Sequence, residues 1–152
     1  MDNVFMEEQI KKQENHEKNI KILIVDDERD MCWLLSRVFQ DADYEATTAL
    51  TGEEALIKVE KEEPELVILD VKLPGISGIE VLSTIKKVEP EIVVIIISAY
   101  GTEEIRKEAM RIGAYDFIDK PFSLEKILRT VRKAILNKVE VKSKRQISET
   151  KN

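Results

Sequence analysis

Five residues far apart in the chain carry groups that could act together on a phosphoryl group. They are the adjacent acids Asp26 and Asp27, a third acid Asp70, the hydroxyl of Ser98 and the ammonium of Lys120. The first two sit in "KILIVDDERD", where an apolar run built for burial ends in paired carboxylates. Two carboxylates about 5 Å apart repel by roughly 3 kcal/mol at an effective dielectric of about 20, and three acids make three such pairs. Lys120 offsets one charge, and a divalent cation would balance the rest. An all-oxygen site suits Mg²⁺ or Mn²⁺ rather than zinc. The competing reading is that one acid keeps its proton, or that the pair lies on an exposed loop; Asp70 and Lys120 at the same rim weigh against both. A carboxylate nucleophile, a divalent ion, a hydroxyl and a lysine are the parts needed to form an aspartyl phosphate. The protein's work is then to position the group and neutralise its oxygens.

These residues meet only if the elements between them bring their tips to one rim. Candidate strands are "KILIV" (21–25), "YEATT" (44–48), "LVIL" (66–69), "IVVIII" (92–97) and "YDFI" (115–118). Stretches of helical period lie between and after them, at about 29–41, 53–62, 78–88, 103–112 and 123–137. Strand–helix alternation at this spacing predicts βαβ units and a parallel sheet, an α/β fold. "LVIL" and "IVVIII" are apolar throughout, as central strands covered on both faces are, whereas "YEATT" suits an edge. Thr51 or Gly52 opens the second helix, Pro64 and Pro90 precede strands, Gly113 caps the fourth helix and Ser123 starts the last. In open parallel sheets ligands bind at the carboxyl ends of strands. Those ends would deliver Asp26 and Asp27, Asp70, Ser98 and Lys120.

The chain has 152 residues, enough for one domain, with 43% hydrophobic and 36% charged residues and a net charge of -6. That charge disfavours broad nucleic-acid binding. No apolar run approaches the roughly 20 residues that cross a bilayer, so no membrane insertion is expected. The polar leader 1–19 has no signal-peptide core, which predicts a cytoplasmic location. It reads as a frayed helix or a partner-binding segment, and its His16 as an ordinary polar residue. Residues 20–137 form the domain, and 138–152 read as a basic solvated tail or truncated linker. The single cysteine, Cys32, reads as a small apolar filler. In "PGISG", Gly75 and Gly78 serve a loop and close packing, not a phosphate-cradling loop.

Four motifs, "ILIVDDE", "LVILDVKLPGISG", "IIISAYG" and "GAYDFIDKPF", resemble in this order and spacing the receiver domain of two-component response regulators, from about Lys21 to Asn137. The pair Lys72 and Tyr100 is similar to sporulation-type phosphorelay receivers, and "CWLLSRVF" and "GAYDF" to receivers of nitrogen-regulator activators. The resemblance implies a flavodoxin-like, doubly wound five-stranded parallel sheet in the order 2-1-3-4-5 with five helices. It implies that Asp70 is the phosphoacceptor, and that Asp26, Asp27, Asp70 and the backbone carbonyl of Lys72 hold Mg²⁺. Lys120 would contact the phosphoryl group and precede a cis peptide bond to Pro121. Ser98 and Phe117 match the switch positions, with phenylalanine where tyrosine is common. Phosphorylation would draw Ser98 to the phosphate and let Phe117 settle inward.

The donor implied is a phosphohistidine on a sensor histidine kinase or a histidine phosphotransfer protein. Lys72 and Tyr100, each two residues beyond a site residue, should overhang the pocket and either slow hydrolysis or merely cover the surface. Met31, Leu34, Pro121 and Phe122 are candidate docking residues; for the helical pair Met31 and Leu34, core packing is the competing reading. The chain is expected to be a signalling module rather than a turnover enzyme. A second reading makes it the receiver fragment of a transcription regulator. An aspartate-nucleophile phosphatase would want an acid where Lys72 stands, and in a flavin carrier Asp26 and Asp27 would repel the flavin phosphate.

Overall fold

Along β1 (Lys21–Val25), Leu23 and Val25 face one hydrophobic cluster while Ile22 and Ile24 face another. The period of two that strand geometry imposes is thus used on both sides. The same alternation runs through β3 (Leu66–Asp70) and β4 (Val93–Ser98), so the sheet is clad on both faces. In this computed structural model, residues 20–150 are described, together with Val4, Met6 and Glu7. Those three are helical and exposed; the rest of the leader 1–19, His16 included, lies outside the described residues.

The five strands are parallel in the order β2-β1-β3-β4-β5, with β2 at Glu45–Ala49 and β5 at Asp116–Asp119. Helices α1 (Arg29–Asp41) and α5 (Leu124–Thr150) bury Leu35, Phe39, Ile127 and Val131 on one face. Helices α2 (Gly52–Glu62), α3 (Gly78–Val88) and α4 (Glu103–Ile112) bury Val59, Leu82, Ile85 and Ala109 on the other. Among the described residues, no helix is long and apolar enough to cross a membrane.

Hydroxyls start four of the helices. Thr51, Ser77 and Thr102 accept the backbone N–H groups of Glu54, Glu80 and Ile105, and Ser123 accepts that of Lys126. Glu54 reaches back to the N–H of Leu50 at 3.0 Å, adding a second satisfied donor at the start of α2. Glu63, in the left-handed region at φ 48°, ends α2 before Pro64, and Gly113 at φ 128° ends α4.

Two differences from the sequence reading matter for the site. β3 and β4 each extend one residue further, so Asp70 and Ser98 are the last paired residues of their strands, opposite Ile97 and Asp119. Likewise β2 and β5 start one residue later than expected, which leaves Tyr44 outside β2 with its ring edge-on to Phe39. The second difference is α5, which continues past Asn137 to Thr150. No glycine or proline follows Pro121 to stop it. Lys138 Nζ donates to the carbonyl of Glu65 at 3.2 Å and Arg145 pairs with Glu91 at 3.2 Å, which ties the extension to the body.

Gly78 fixes how α3 meets β3. Its N–H donates to Val71 O at 2.8 Å, and an added Cβ would lie 2.1 Å from the carbonyl oxygen of Asp70. Both neighbours are backbone and cannot swing aside. Gly78→Ala is expected to cost about 2 kcal/mol or more of stability, read as an earlier urea midpoint. An unchanged midpoint would contradict this packing.

Candidate functional site

The tip of β1 places Asp26 inside the protein, fully buried, and turns Asp27 outward to solvent. Several backbone groups hold Asp26. Its N–H donates to Ala49 O at 3.1 Å, its Oδ1 accepts the N–H of Glu28 at 2.9 Å, and its carbonyl accepts the Cys32 thiol at 3.3 Å. Cys32 therefore packs as filler and also tethers α1 to the acidic loop. Burial, with the nearby Asp26 charge, pushes its thiol up to about 11, which keeps it in the protonated, donating form.

Asp70 is also buried, and its Oδ1 accepts the N–H of Lys72 at 3.1 Å. Lys120 follows β5, its own N–H bonded to Ser98 O at 2.9 Å and its peptide bond to Pro121 cis. From there its Nζ lies 2.8 Å from Asp26 Oδ2 and 2.8 Å from Asp70 Oδ2. One ammonium thus bridges two buried carboxylates from different strands. Burial pushes the Asp70 carboxyl above its ordinary value, and the bonds from Lys120 pull it only part of the way back. For Lys120, burial works against the charge, but the two carboxylates outweigh it and the ammonium is held more tightly than usual.

Ligand oxygens of Asp26, Asp27 and Asp70 lie within 4.8 Å of one another, so this acidic group could hold a metal ion. Three carboxylates against one ammonium leave two negative charges, and an all-oxygen donor set fits a hard divalent cation. The acids open onto a cleft of about 460 Å³ lined by Asp27, Glu28, Asp70, Lys72, Tyr100 and Lys120, among others. Glu28 was not singled out from the sequence. The third acid of "DDE" was its only signal, and it lies where the chain turns into α1 without capping that helix through its side chain.

The remaining candidates divide. Lys72 and Tyr100 do come together: Lys72 Nζ sits 4.5 Å from the centre of the Tyr100 ring, a cation–π contact at the mouth of the cleft. Ser98 is fully buried and does not line the cleft; its Oγ accepts the N–H of Tyr100 at 3.1 Å. Phe117 is already inside, 8% exposed, with Gly101 against its ring edge and the Arg106 guanidinium 4.7 Å above its face. Arg106 also pairs with Asp119. Gly101 leaves room for the ring beneath Arg106. Of the docking candidates, Met31 and Phe122 pack partly into the core beside α1 and α5, whereas Leu34 and Pro121 are exposed.

Comparison with known proteins places this geometry in a family. The family model for the response regulator receiver domain matches residues 22–132. Sporulation initiation phosphotransferase F of Bacillus subtilis (strain 168) is 43% identical over 76% of this chain and 93% of its own length. The alkaline phosphatase synthesis transcriptional regulatory protein PhoP of the same organism is 38% identical over 81% of this chain, which spans only 51% of that relative. Among solved structures, a CheY-like response regulator receiver domain protein from Methanospirillum hungatei JF-1 superposes with a TM-score of 0.79 at 28% identity, covering 80% of this chain and 98% of that one. NtrX from Brucella abortus gives 0.76 at 37% identity over 86% of this chain and 30% of its own. The four motifs, the strand order and the acidic rim bridged by Lys120 agree with these matches, and the chain belongs to the response regulator receiver domain family.

Proposed function

We propose that the chain accepts a phosphoryl group on Asp70 from a phosphohistidine of a sensor histidine kinase or a phosphotransfer protein. The observation that supports this most is the Lys120 ammonium bridging Asp26 and Asp70 at 2.8 Å each, beside an open cleft. An Asp70 oxygen attacks phosphorus; an O–P bond forms while the P–N bond breaks and its electron pair returns to the imidazole nitrogen. Lys120 has a third N–H beyond its two carboxylate bonds, available to an equatorial oxygen. Asp26, Asp27, Asp70 and the Lys72 carbonyl would hold Mg²⁺, with Mn²⁺ as a substitute. When bound, the ion supplies positive charge to the phosphoryl oxygens and to the crowded acids.

Ser98 spends its acceptor on Tyr100 and keeps its O–H proton for the incoming group. Drawing that hydroxyl toward Asp70 would carry the Ser98–Tyr100 backbone with it. In this reading Phe117 keeps the packed-in position, and the change passes to the surface of α4, β5 and α5 through Gly101 and Arg106. The protein then works as a signalling module, by population shift, rather than by turnover. A second reading, the receiver part of a longer transcription regulator, is supported by the half-length match to PhoP. Asp70 has the same role in both.

Incubation with acetyl phosphate and Mg²⁺ is expected to add one phosphoryl mass to the parent and none to Asp70→Asn, with Lys120→Ala much slower than the parent. An unmodified parent would overturn the reading.

Metal binding is checked by melting. Saturating Mg²⁺, at a hundred times its Kd, should stabilise the parent by about 2.7 kcal/mol and Asp70→Asn by less. The metal-free proteins differ for another reason. Because the folded-state pKa of Asp70 is raised, the folded protein holds this proton to higher pH than the unfolded chain does, so its ionisation costs stability at neutral pH. Asp70→Asn should therefore melt higher at neutral pH, with the difference vanishing below the ordinary carboxylate range. No Mg²⁺ shift in the parent would remove the metal assignment.

Lys72 and Tyr100 cover the approach of water to the acyl phosphate. Lys72→Ala and Tyr100→Ala are each expected to lose the phosphoryl group several-fold faster than the parent, followed by intact mass over time. Equal rates would reduce the pair to surface cover.

A further inference from the structure

At the opposite pole of the sheet, beneath the amino-terminal ends of β4 and β5, the continuation of α5 closes a second cleft of about 640 Å³. Val93, Ala114, Tyr115, Ala134 and Val141 supply its apolar lining. Four cations reach it, Lys86, Lys138, Lys142 and Arg145, against a single carboxylate, Glu91. In a chain of net charge -6 this is a concentrated reversal of sign.

The hydrogen bonds within the cleft leave capacity for a ligand. Lys86 Nζ donates to the carbonyls of Pro90 at 3.3 Å and Ile92 at 2.5 Å, and Lys138 Nζ donates to Glu65 O at 3.2 Å. An ammonium has three N–H groups, so each lysine retains a donor. Carbonyl dipoles satisfy hydrogen bonds but do not cancel charge. Burial pushes Lys86 down, helped by Lys138, and burial pushes Lys138 down, helped by Lys142; Glu65 and Glu91 offset the latter only in part. Arg145 already pairs with Glu91 at 3.2 Å, which leaves the three lysines without a carboxylate of their own in the lining. Apart from Asn137 the rest of the lining is mostly apolar and includes one aromatic ring, that of Tyr115, whose hydroxyl accepts a hydrogen bond from Asn137 Nδ2 at 3.0 Å.

We propose that this cleft binds a phosphorylated aromatic small molecule of mononucleotide size, its phosphate among Lys86, Lys138 and Lys142 and its flat body against Tyr115 and Val141. The volume falls in the range of small-ligand pockets, roughly 300–1,000 Å³, and the combination of apolar lining with a few convergent charges is the usual composition of such sites. The cleft lies at the other end of the strands from Asp70, so occupancy there does not depend on phosphoryl chemistry.

The test is a titration of ¹⁵N-labelled protein with AMP in the absence of Mg²⁺. Saturable shifts are expected at Ala114, Tyr115 and Val141 with a sub-millimolar Kd, while adenosine and inorganic phosphate each bind about tenfold more weakly or worse. Lys142→Glu combined with Lys138→Gln should weaken AMP by about tenfold or more with unchanged helicity and unchanged phosphorylation by acetyl phosphate. No saturation at millimolar AMP, or affinity indifferent to these substitutions, would overturn the proposal. So would inorganic phosphate binding as tightly as AMP, since the aromatic half of the site would then contribute nothing.

Discussion

Lys120 makes the buried acids tolerable. Asp26 and Asp70 close adjacent strands, and the lysine reaches them from the far side of β4, across the tip that ends in Ser98. Removing such an ammonium leaves two carboxylates in the interior with no cationic partner, a change that typically costs about 3–5 kcal/mol. The pairing is also incomplete by design of the charges. One cation cannot satisfy three acids, so the site holds together as folded while retaining an appetite for further positive charge. Stability and receptivity come from the same imbalance.

That imbalance sits in a wider polarity set by topology. Each of α1–α5 starts near the carboxyl ends of the strands and runs back, so partial positive charge from helix N-termini gathers on the side of Asp26, Asp27 and Asp70. The opposite side collects helix C-termini and exposed carbonyls, and there the chain supplies lysines. Lys86 caps the turn after α3, and Lys138 satisfies the carbonyl that precedes β3. Acids at one pole and ammonium groups at the other therefore follow one electrostatic rule, with each pole carrying more charge than its backbone alone requires.

Much of this was legible in the residues because apolar runs and strand-tip polarity are local signals. The parallel sheet, its five helices and the convergence of Asp26, Asp27, Asp70 and Lys120 needed only pattern, order and family likeness. Other features depended on three-dimensional partners. Asp70 and Ser98 look like loop residues because they are polar, yet their backbones remain in the ladder. The second bond of Lys120, to Asp26, could not be inferred from charge counting, which treats the acids as equivalent. Cys32 reads as filler from composition, and only the fold shows its thiol turned to the Asp26 carbonyl. The continuation of α5 has the helix propensity to form but no apolar stripe to announce it. Its anchors, Glu65 and Glu91, lie more than fifty residues upstream.

The fully apolar strands have a consequence for the chain outside its native state. "VVIII" in β4 is uncharged, β-branched and free of proline, the composition of segments that stack into cross-β fibrils. In the folded protein it lies inside the sheet, between β3 and the edge strand β5, while the edges carry Glu45 on one side and Asp116 and Asp119 on the other. Charged margins discourage sheet-to-sheet growth. A truncation or nick that released β5 would turn this sticky strand into an open template for aggregation.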